Sequence, residues 1–453
     1  MKKLWLDDSD ENIENSFLRN TLGRNKDILA FVDLINNFNS GVIAINAPWG
    51  AGKTFFIKQT KLVIDNLSKN EESIQGFHKK IKHFGGMNSE IEKGSFMTVY
   101  YNSWLNDNDE DPIVSLVLAI LNEYPDVSGL QKDSDLIKIA TTLLDAFTRI
   151  EFSKVGNALK GTELVEEIAK SKDKEKKIHD FIEKCLFEHG NKMVIFVDEL
   201  DRCNPSYAVK LLERVKHYFN MENVIFVFSI NFDELKHTIS NYYGMNFDAC
   251  RYLDRFFDYR FNLPKANMEV FYSDIGLNNG TWVYENVCRR VVQILDMSIR
   301  ETANFYNRAK IAAYKPMHNK ELYCPFGNEK SEIFYLCCLI PVMIGLDLVR
   351  HDEYVEFLNG ENDKKLNEIF KTDEYAIEII SYLLEDNESY SKSNDKKNVK
   401  IEEKLRALYN GIFVNEYKDI ESIRIGNIVI DKNTKAYLER ICAGMSPYAD
   451  YTL

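Results

Sequence analysis

The strongest constraint on the fold of this chain is an apolar segment that runs directly into a glycine-containing turn and then into a helix. Residues 41–47, GVIAINA, are apolar enough to form a short buried strand. Residues 48–54, PWGAGKT, follow at once, and residues 55–67 have apolar positions at helical spacing. A buried strand that turns sharply into a helix is a building unit of parallel α/β sheets, so we expect an α/β fold.

The turn matches the GxxxxGK[ST] pattern of a phosphate-binding loop (P-loop), except that Ala47 replaces the first glycine. Gly50 and Gly52 let backbone N–H groups converge on phosphates, because no Cβ intervenes. Lys53 supplies a point charge for the β- and γ-phosphates, Thr54 offers a hydroxyl to Mg²⁺, and the helix adds its N-terminal dipole. The predicted nucleotide-binding residues of the loop are Pro48, Trp49, Gly50, Ala51, Gly52, Lys53, Thr54 and Phe55.

Trp49 is an unusual residue for such a loop. It either stacks near the nucleotide or pins the loop by packing, and we favour packing. A chance GK[ST] in an ordinary strand–turn–helix is the alternative for the whole motif, and a second motif downstream argues against it.

That second motif is VIFVDE, residues 194–199, in which an apolar run ends in two carboxylates. We expect a buried strand that holds Asp198 beside the P-loop strand, where it meets Mg²⁺ directly or through water. Glu199 would orient and deprotonate the attacking water. Alone, the pair could equally be surface carboxylates at a strand exit. A glutamate directly after the aspartate, and a strand at 96–104 between the two motifs, are typical of P-loop enzymes that hydrolyse.

A further apolar run, residues 223–231, ends at Asn231. A polar side chain at the end of this strand is well placed to test the γ-phosphate. The alternative is a cap for the helix that begins DELKHTI, and both roles are compatible.

Strand and helix patterns alternate through the first 264 residues, which predicts a doubly wound, mainly parallel sheet. We predict a P-loop sheet domain at 1–264 with a helical insertion at about 107–190, a helical lid or C-terminal domain at 265–386, a polar linker or mobile loop at 387–400, and a small terminal segment at 401–453. Residues 17–38 have the spacing of one helix ended by Gly41, and Gly426 marks a hairpin.

Composition excludes several classes of protein. Lys and Arg number 57 against 70 Asp and Glu, a net charge of −13, so broad nucleic-acid binding is not expected. No CxxC pair occurs among the eight cysteines, which argues against a zinc site. The first residues lack the apolar core of a secretory signal, so we expect a cytoplasmic protein. The apolar run at 333–346 contains Pro341 and is shorter than a membrane span, which predicts a buried helix pair or a bent core helix.

Four segments together resemble the KAP family of P-loop NTPases. They are APWGAGKT at 47–54, YNSWLNDNDEDP at 101–112, VIFVDELDRCNP at 194–205 and YLDRFFDYRFNLP at 252–264. Residues 22–35 resemble the segment that precedes the P-loop in the family, and residues 297–310 resemble its helical arginine motif. The resemblance covers residues 17–310 and fades beyond them.

The resemblance implies roles for several arginines. Arg24 would border the base, Arg255 would reach the γ-phosphate in cis or from a neighbouring subunit, and Arg300 would be a sensor on a lid helix. Residues 298–301 fit a capping box, which places Arg300 in the first turn of a helix. Each arginine alone is more often a surface ion-pair partner. Asp201 and Arg202 would pair to brace the acidic turn or position the lid, and we favour bracing.

Many members of the family carry membrane-spanning helices between the two nucleotide motifs. The best candidate here, residues 137–150, is too short and carries Lys138, Asp145 and Arg149. We therefore predict no membrane span, and inserted helices that make protein contacts.

We thus expect an Mg²⁺-dependent ATPase that acts as a switch, and the resemblance points to anti-phage defence or plasmid exclusion with a separate effector. The expected partners are ATP, other protein subunits or a separate effector, and further copies of the same chain in a homo-oligomer. The alternatives are a scaffold that binds ATP without turnover and a phosphotransferase for a small molecule. ATP is preferred over GTP because the region after the acidic strand contains no NKxD motif.

Overall fold

The computed structural model describes residues 7–68, 81, 95–124, 140, 142–143, 174–277, 283–314, 326–371, 374–384, 394–414 and 421–444. The chain divides into two compact units. One, the sheet unit, is Asp8–Met268; the other, the helical unit, is Glu269–Leu453, to which the first seven residues are assigned.

A five-stranded, entirely parallel sheet forms the centre of the sheet unit. Its strands are β1 (Gly41–Asn46), β2 (Phe96–Asn102), β3 (Lys192–Asp198), β4 (Val224–Ile230) and β5 (Tyr259–Asn262), in the order β2-β3-β4-β1-β5. Helices cover both faces. The predicted fold class, a doubly wound parallel sheet followed by a helical C-terminal region, is confirmed.

The order of the strands corrects one expectation. We expected Asp198 on a strand beside the P-loop strand, but β4 lies between β1 and β3. The register compensates for this separation: Asn102 pairs with Asp198, and Asp198 pairs with Ser229, so the carboxyl ends of three strands meet at one edge. In open α/β sheets this edge is where ligands bind.

The helices of the sheet unit divide between its two faces. One face is covered by α1 (Asp10–Leu18), α2 (Asn25–Asn37) and α3 (Lys53–Ser68). The other face is covered by α4 (Pro112–Glu123), α5 (Lys174–His189), α6 (Pro205–Tyr218) and α7 (Phe232–Tyr243), which is followed by the short helix α8 (Ala249–Leu253). Alternate residues of each central strand enter the two cores; Val227, for example, faces α3 and Phe228 faces the opposite layer. Each layer therefore has its own apolar core.

The first predicted helix is wrong in extent. Instead of one helix over residues 17–38, α1 ends at Leu18 and α2 begins at Asn25. Asn20 and Gly23 both have positive φ, which breaks the helix. A Cβ at position 23 would lie 2.5 Å from the Cβ of Asn267, so glycine is required there for close approach as well.

The predicted helical insertion is described mainly at its two ends, with residues 140 and 142–143 between them. Asp111 caps α4 by accepting the Ile113 N–H at 3.1 Å, and Pro112 occupies the first helical position, where its missing N–H costs no hydrogen bond. Toward its other end the insertion is described from Lys174, where α5 begins, and this helix continues to His189. Most of the candidate span at 137–150 lies outside the described residues.

In the helical unit the chain forms a succession of packed helices. They are α9 (Glu269–Ile275), α10 (Val283–Ile294), α11 (Ile299–Ala313), α12 (Glu329–Glu332), a π-helix (Ile333–Leu339), α13 (Ile340–Val349), α14 (His351–Leu358), α15 (Lys364–Lys371), α16 (Glu374–Leu384), α17 (Asn394–Tyr409) with a π-turn (Asn410–Val414), and α18 (Thr434–Cys442). An antiparallel hairpin, β6 (Ser422–Ile425) and β7 (Ile428–Asp431), turns at Gly426 as expected.

One expectation about this unit needs correction. Residues 394–400, part of the predicted linker, are helical in α17, while 387–393 lie outside the described residues. Of the two alternatives for the apolar run at 333–346, the helix pair is wrong and the core helix fits: the run is part of one continuous helix, Glu329–Val349, whose π segment ends just before Pro341. Among the described residues this is the one helix long and apolar enough to cross a membrane, and 72% of its apolar window is buried inside the fold, as in a core helix.

The packing of this apolar helix predicts that replacing Gly345 by alanine destabilises the protein, although alanine is the better helix former. Alanine is a better helix former than glycine by about 1 kcal/mol, yet a Cβ at Gly345 would lie 2.5 Å from Val291 Cγ1 and 3.0 Å from Leu295 Cδ1. Gly345→Ala should therefore lower the free energy of unfolding by about 1–3 kcal/mol, measured by thermal and chemical denaturation. Adding Val291→Ala should relieve part of the loss. An unchanged or raised melting temperature in Gly345→Ala would contradict this packing.

Candidate functional site

The P-loop lies between β1 and α3 with the backbone that its glycines permit. Gly50 and Gly52 have φ of 78° and 84°, the left-handed region that side chains disfavour. Ala47 is not among the described non-glycine residues with positive φ, which explains why alanine is tolerated where the pattern has glycine. The departure from the motif at Ala47 therefore leaves the loop's geometry intact.

Lys53, at the first position of α3, is buried and turned onto the loop itself. Its Nζ donates to the Ala47 carbonyl at 2.8 Å and to the Pro48 carbonyl at 3.2 Å. The ammonium thus lies inside the arc of the loop, where a phosphate would also lie.

The side chain of Trp49 fastens the loop to the turn that follows β3. Its indole N–H donates to Asp201 Oδ2, although the ring is 46% exposed. Burial raises the pKa of Asp201, while Lys53 and the Trp49 N–H favour the charged form. Trp49 therefore holds the loop by a hydrogen bond rather than by the packing that we favoured.

The expected Asp201–Arg202 pair is wrong, because each of the two side chains has another partner. Asp201 is taken by Trp49 and by the backbone N–H of Asn231. Arg202 instead pairs with Glu199, its Nη1 lying 2.8 Å from Oε1. The 3₁₀ turn brings side chains three residues apart together, so Arg202 meets Glu199 and not its neighbour Asp201.

Asp198, the last residue of β3, receives three hydrogen bonds. Thr54 Oγ1 and Tyr100 Oη donate to Oδ2 at 2.7 and 3.1 Å, and the Glu199 N–H donates to Oδ1 at 3.0 Å. Burial, and then the charge of Asp198, raise the pKa of Tyr100, so this phenol remains a donor. The sheet thus brings together the two residues predicted to hold the metal, Thr54 and Asp198.

Glu199 has a left-handed backbone, with φ of 62°, at the start of the turn after β3. Non-glycine residues rarely adopt this conformation, which concentrates at functional sites. Its Oε1 meets Arg202, and its Oε2 accepts the Asn102 amide at 3.1 Å. The carboxylate is thereby held between the carboxyl ends of β2 and β3.

Arg24 is buried, and its guanidinium contacts backbone rather than open space. Nη1 donates to the Ala51 carbonyl at 2.7 Å, and Nη2 donates to the Pro264 carbonyl. Burial lowers the pKa of Arg24 to about 10. Its visible role is to tie the P-loop to the segment after β5; a role at the base stays a prediction.

Asn231 follows β4 at the same edge of the sheet, half-buried. In the described chain its side chain makes no cap hydrogen bond to α7, so the capping alternative is wrong. Asn46 supplies that bond instead, accepting the Phe232 N–H at 2.9 Å. A role of Asn231 at the γ-phosphate stays a prediction.

In the part of the chain that the structure describes, the remaining predicted site residues, Phe55, Arg255 and Arg300, make no hydrogen bond or ion pair with Lys53, Asp198 or Glu199. Phe55 is half-buried in the first turn of α3. Arg255 is exposed in the turn after α8, and Arg300 is exposed in the first turn of α11, where the predicted capping box between Ser298 and Glu301 is present. Within the described residues neither arginine has an ion-pair partner. Arg300 belongs to the helical unit.

Sequence reasoning missed Tyr100, Asn102 and Ser229. Tyr100 and Asn102 contact the two acidic residues, and Ser229 is fully buried in register with Asp198. The signal was available for Asn102: polar residues at the end of an apolar strand belong to the same sheet edge as Asp198 once the sheet is parallel. Tyr100 had no such signal, because an aromatic residue in a strand is ordinarily core.

The donor set suits a hard cation. Thr54 and Asp198 offer a hydroxyl and a carboxylate oxygen, and Mg²⁺ is usually bound by one or two carboxylates together with substrate phosphates. Among the described residues no group of three or more His, Cys, Asp or Glu side chains could hold a metal ion. The residues present therefore fit a metal that a phosphate ligand completes, rather than one held in an all-protein cage.

Comparison with known proteins agrees with this geometry. The model of the KAP family P-loop domain matches residues 24–275, more than half of the chain. The match begins at Arg24 and includes β1–β5, but ends before Arg300. The chain is also similar to an uncharacterized protein of Methanocaldococcus jannaschii, at 24% identity over 29% of this chain and 89% of that protein.

The bond between Trp49 and buried Asp201 predicts a stability effect in the sheet unit. Trp49→Phe removes the donor and leaves the carboxylate less satisfied, so the free energy of unfolding should fall by about 1–2 kcal/mol in chemical denaturation. Trp104→Phe is a matched control, because Trp104 is 48% exposed and its indole N–H makes no hydrogen bond within the described residues. Equal losses in the two variants would refute a specific role for the indole N–H.

Proposed function

The chain belongs to the KAP family of P-loop NTPases, and from this premise we propose that it binds Mg-ATP in the loop from Ala47 to Thr54 and hydrolyses it slowly. Family membership indicates nucleotide binding and hydrolysis in general. The choice of ATP, the magnesium ion and the biological setting belong to the proposal.

One observation carries the proposal: Thr54 Oγ1 lies 2.7 Å from Asp198 Oδ2. This hydrogen bond joins the P-loop to the end of β3, although the two residues are 144 positions apart in the sequence. These are the two oxygen types that P-loop enzymes use around their metal. Mg²⁺, when bound, would neutralise charge on the β- and γ-phosphate oxygens.

The chain's own residues would then divide the work of hydrolysis. Backbone N–H groups of the loop and Lys53 would bind the phosphates, with the ammonium leaving the Ala47 and Pro48 carbonyls for them. Glu199 would take a proton as the oxygen of water bonds to the γ-phosphorus. The bond between that phosphorus and the bridging oxygen breaks, so ADP and inorganic phosphate leave.

Four further residues enter the proposal with narrower roles. Asn231 would contact the γ-phosphate from the end of β4, and Arg24 would fix the loop near the base. Arg255 and Arg300 are exposed cations without ion-pair partners among the described residues, and we assign them to the phosphates, Arg255 in cis or from a second copy. Their charge would stabilise the transition state.

As a switch, the protein would couple ATP binding and hydrolysis to a change in its partners. We propose a cytoplasmic role in an anti-phage defence or exclusion complex with a separate effector; the resemblance to the family supports this. The neighbouring genes test this proposal: an adjacent gene for a nuclease or a protease would support a defence complex with a separate effector.

Two alternatives have a distinct chemical signature. A scaffold would hold ATP without turnover, and Glu199 would then be dispensable. A phosphotransferase would consume ATP only with one metabolite and release no free phosphate; a glutamate after the metal-binding aspartate argues against it.

Lys53→Ala should abolish nucleotide binding, because it removes the buried positive charge of the loop. We expect at least about a 100-fold loss of ATP affinity and of phosphate release. Titration with a fluorescent ATP analogue and a phosphate-release assay measure the two effects. Lys216→Ala is the control, since Lys216 is exposed on α6. Normal binding in Lys53→Ala would refute the assigned site, and a wild-type protein that binds no ATP would refute the function.

Glu199→Gln should retain ATP affinity but lose hydrolysis by about 10²- to 10⁴-fold, because the amide cannot take the proton from water. The variant should therefore accumulate bound ATP, detected by chromatography of the nucleotide extracted from the protein. Glu222→Gln, an exposed glutamate outside the site, is the control. If the wild type retains bound ATP as the variant does, the scaffold alternative is correct.

A further inference from the structure

The carboxylate of Glu199 is engaged on both oxygens by two other residues of its own chain. Arg202 Nη1 lies 2.8 Å from Oε1, and Asn102 Nδ2 donates to Oε2 at 3.1 Å. Both partners are donors, and one carries a full positive charge. Each carboxylate oxygen keeps a second lone pair. The two contacts nevertheless fix the direction of the carboxylate, whereas a general base must direct a lone pair at the attacking water.

We propose that Asn102 and Arg202 are positioning residues that hold Glu199 back from the attacking water, so that hydrolysis requires the release of this side chain. The inference rests on the proposed function, in which Glu199 takes the proton. Arg202 neutralises the carboxylate, and Asn102 fixes its direction toward the end of β2. Glu199 alternates between this restrained position and the position in which it deprotonates water.

The backbone of the turn makes the restraint local and specific. Glu199 is left-handed, and the Arg202 N–H donates to the Glu199 carbonyl at 3.0 Å, closing a 3₁₀ turn. That turn places side chains three residues apart on one side. Both hydrogen bonds are charge-assisted because the acceptor is a carboxylate. The bond from Arg202 also has the attraction between opposite charges, so Arg202 contributes the larger share of the restraint.

The same contacts extend to the surface of the sheet unit. Arg202 lies over the ring of Trp104, with 5.6 Å between the guanidinium carbon and the ring centroid, and Trp104 is about half exposed. Asn102 Oδ1 accepts the Leu105 N–H at 3.1 Å, and Ser103 N–H donates to the Asp198 carbonyl at 3.0 Å. The turn at 102–106 therefore supports both restraining side chains, and a displacement of this turn would release Glu199.

The test measures single-turnover cleavage of ATP and the affinity for ATP in the full-length protein. Arg202→Met removes the charge and retains the length of the side chain; we expect cleavage about tenfold faster than in the wild type with affinity changed less than about twofold. Arg202→Lys, which can still pair with Glu199, should stay near the wild-type rate. Arg214→Met is the matched control, because Arg214 also pairs with a carboxylate at 2.8 Å and lies 5.5 Å from an aromatic ring.

Asn102→Asp tests the second contact independently. The new carboxylate keeps the oxygen that accepts the Leu105 N–H but removes the N–H donor to Glu199 and repels it. This variant should also cleave ATP faster than the wild type. In the double variants Arg202→Met/Glu199→Gln and Asn102→Asp/Glu199→Gln, the gain should disappear, which a merely structural effect on the turn would not produce.

A slower rate in Arg202→Met with unchanged ATP affinity would overturn the restraint and would make Arg202 a support of the productive geometry. An unchanged rate in both single variants would also overturn it. Failure of the proposed function has a different signature, because a protein without a nucleotide site shows no ATP binding in the wild type or in any variant.

Discussion

The contact between Thr54 and Asp198 is the point on which the rest of the sheet unit depends. Neither residue could reach the other without a parallel sheet, since only parallel strands deliver all of their carboxyl ends to one edge. The pairing of Asn102 with Asp198 and of Asp198 with Ser229 sets that edge to within one residue. The buried apolar strands therefore hold the Thr54 hydroxyl next to the Asp198 carboxylate. The N-terminus of α3, with its partial positive charge, lies beside the same contact.

Around this contact the chain satisfies its own charges. Lys53 binds the loop carbonyls, Asp201 accepts the Trp49 indole, and Glu199 lies between Arg202 and Asn102. Buried charges are costly unless they are paired, so a preorganised site of this kind must exchange internal partners for those of a ligand. Under the proposed function, phosphate binding would therefore be coupled to the loop and to the two turns that follow β2 and β3.

The sequence predicted the residue types better than the partners. Local motifs identified the P-loop, the acidic strand end and the capping box at Ser298, because each depends on residues that are close in sequence. Long-range contacts had no such signal: Arg24 binds the carbonyls of Ala51 and Pro264, and Asn46 rather than Asn231 caps α7. The broken helix at Asn20 and Gly23 was missed because apolar spacing continues across the break, while positive φ does not appear in a hydrophobic pattern.

The amino-acid sequence by itself determined the fold class, the phosphate loop and the identity of the acidic residues, since periodicity and short motifs are local properties of the chain. Only the tertiary structure decided that β4 separates β1 from β3, that Arg202 pairs with Glu199, and that Tyr100 and Asn102 join the site. The physical reason is that strand order and side-chain partners depend on which distant segments pack together, and one sequence contains no direct record of those contacts.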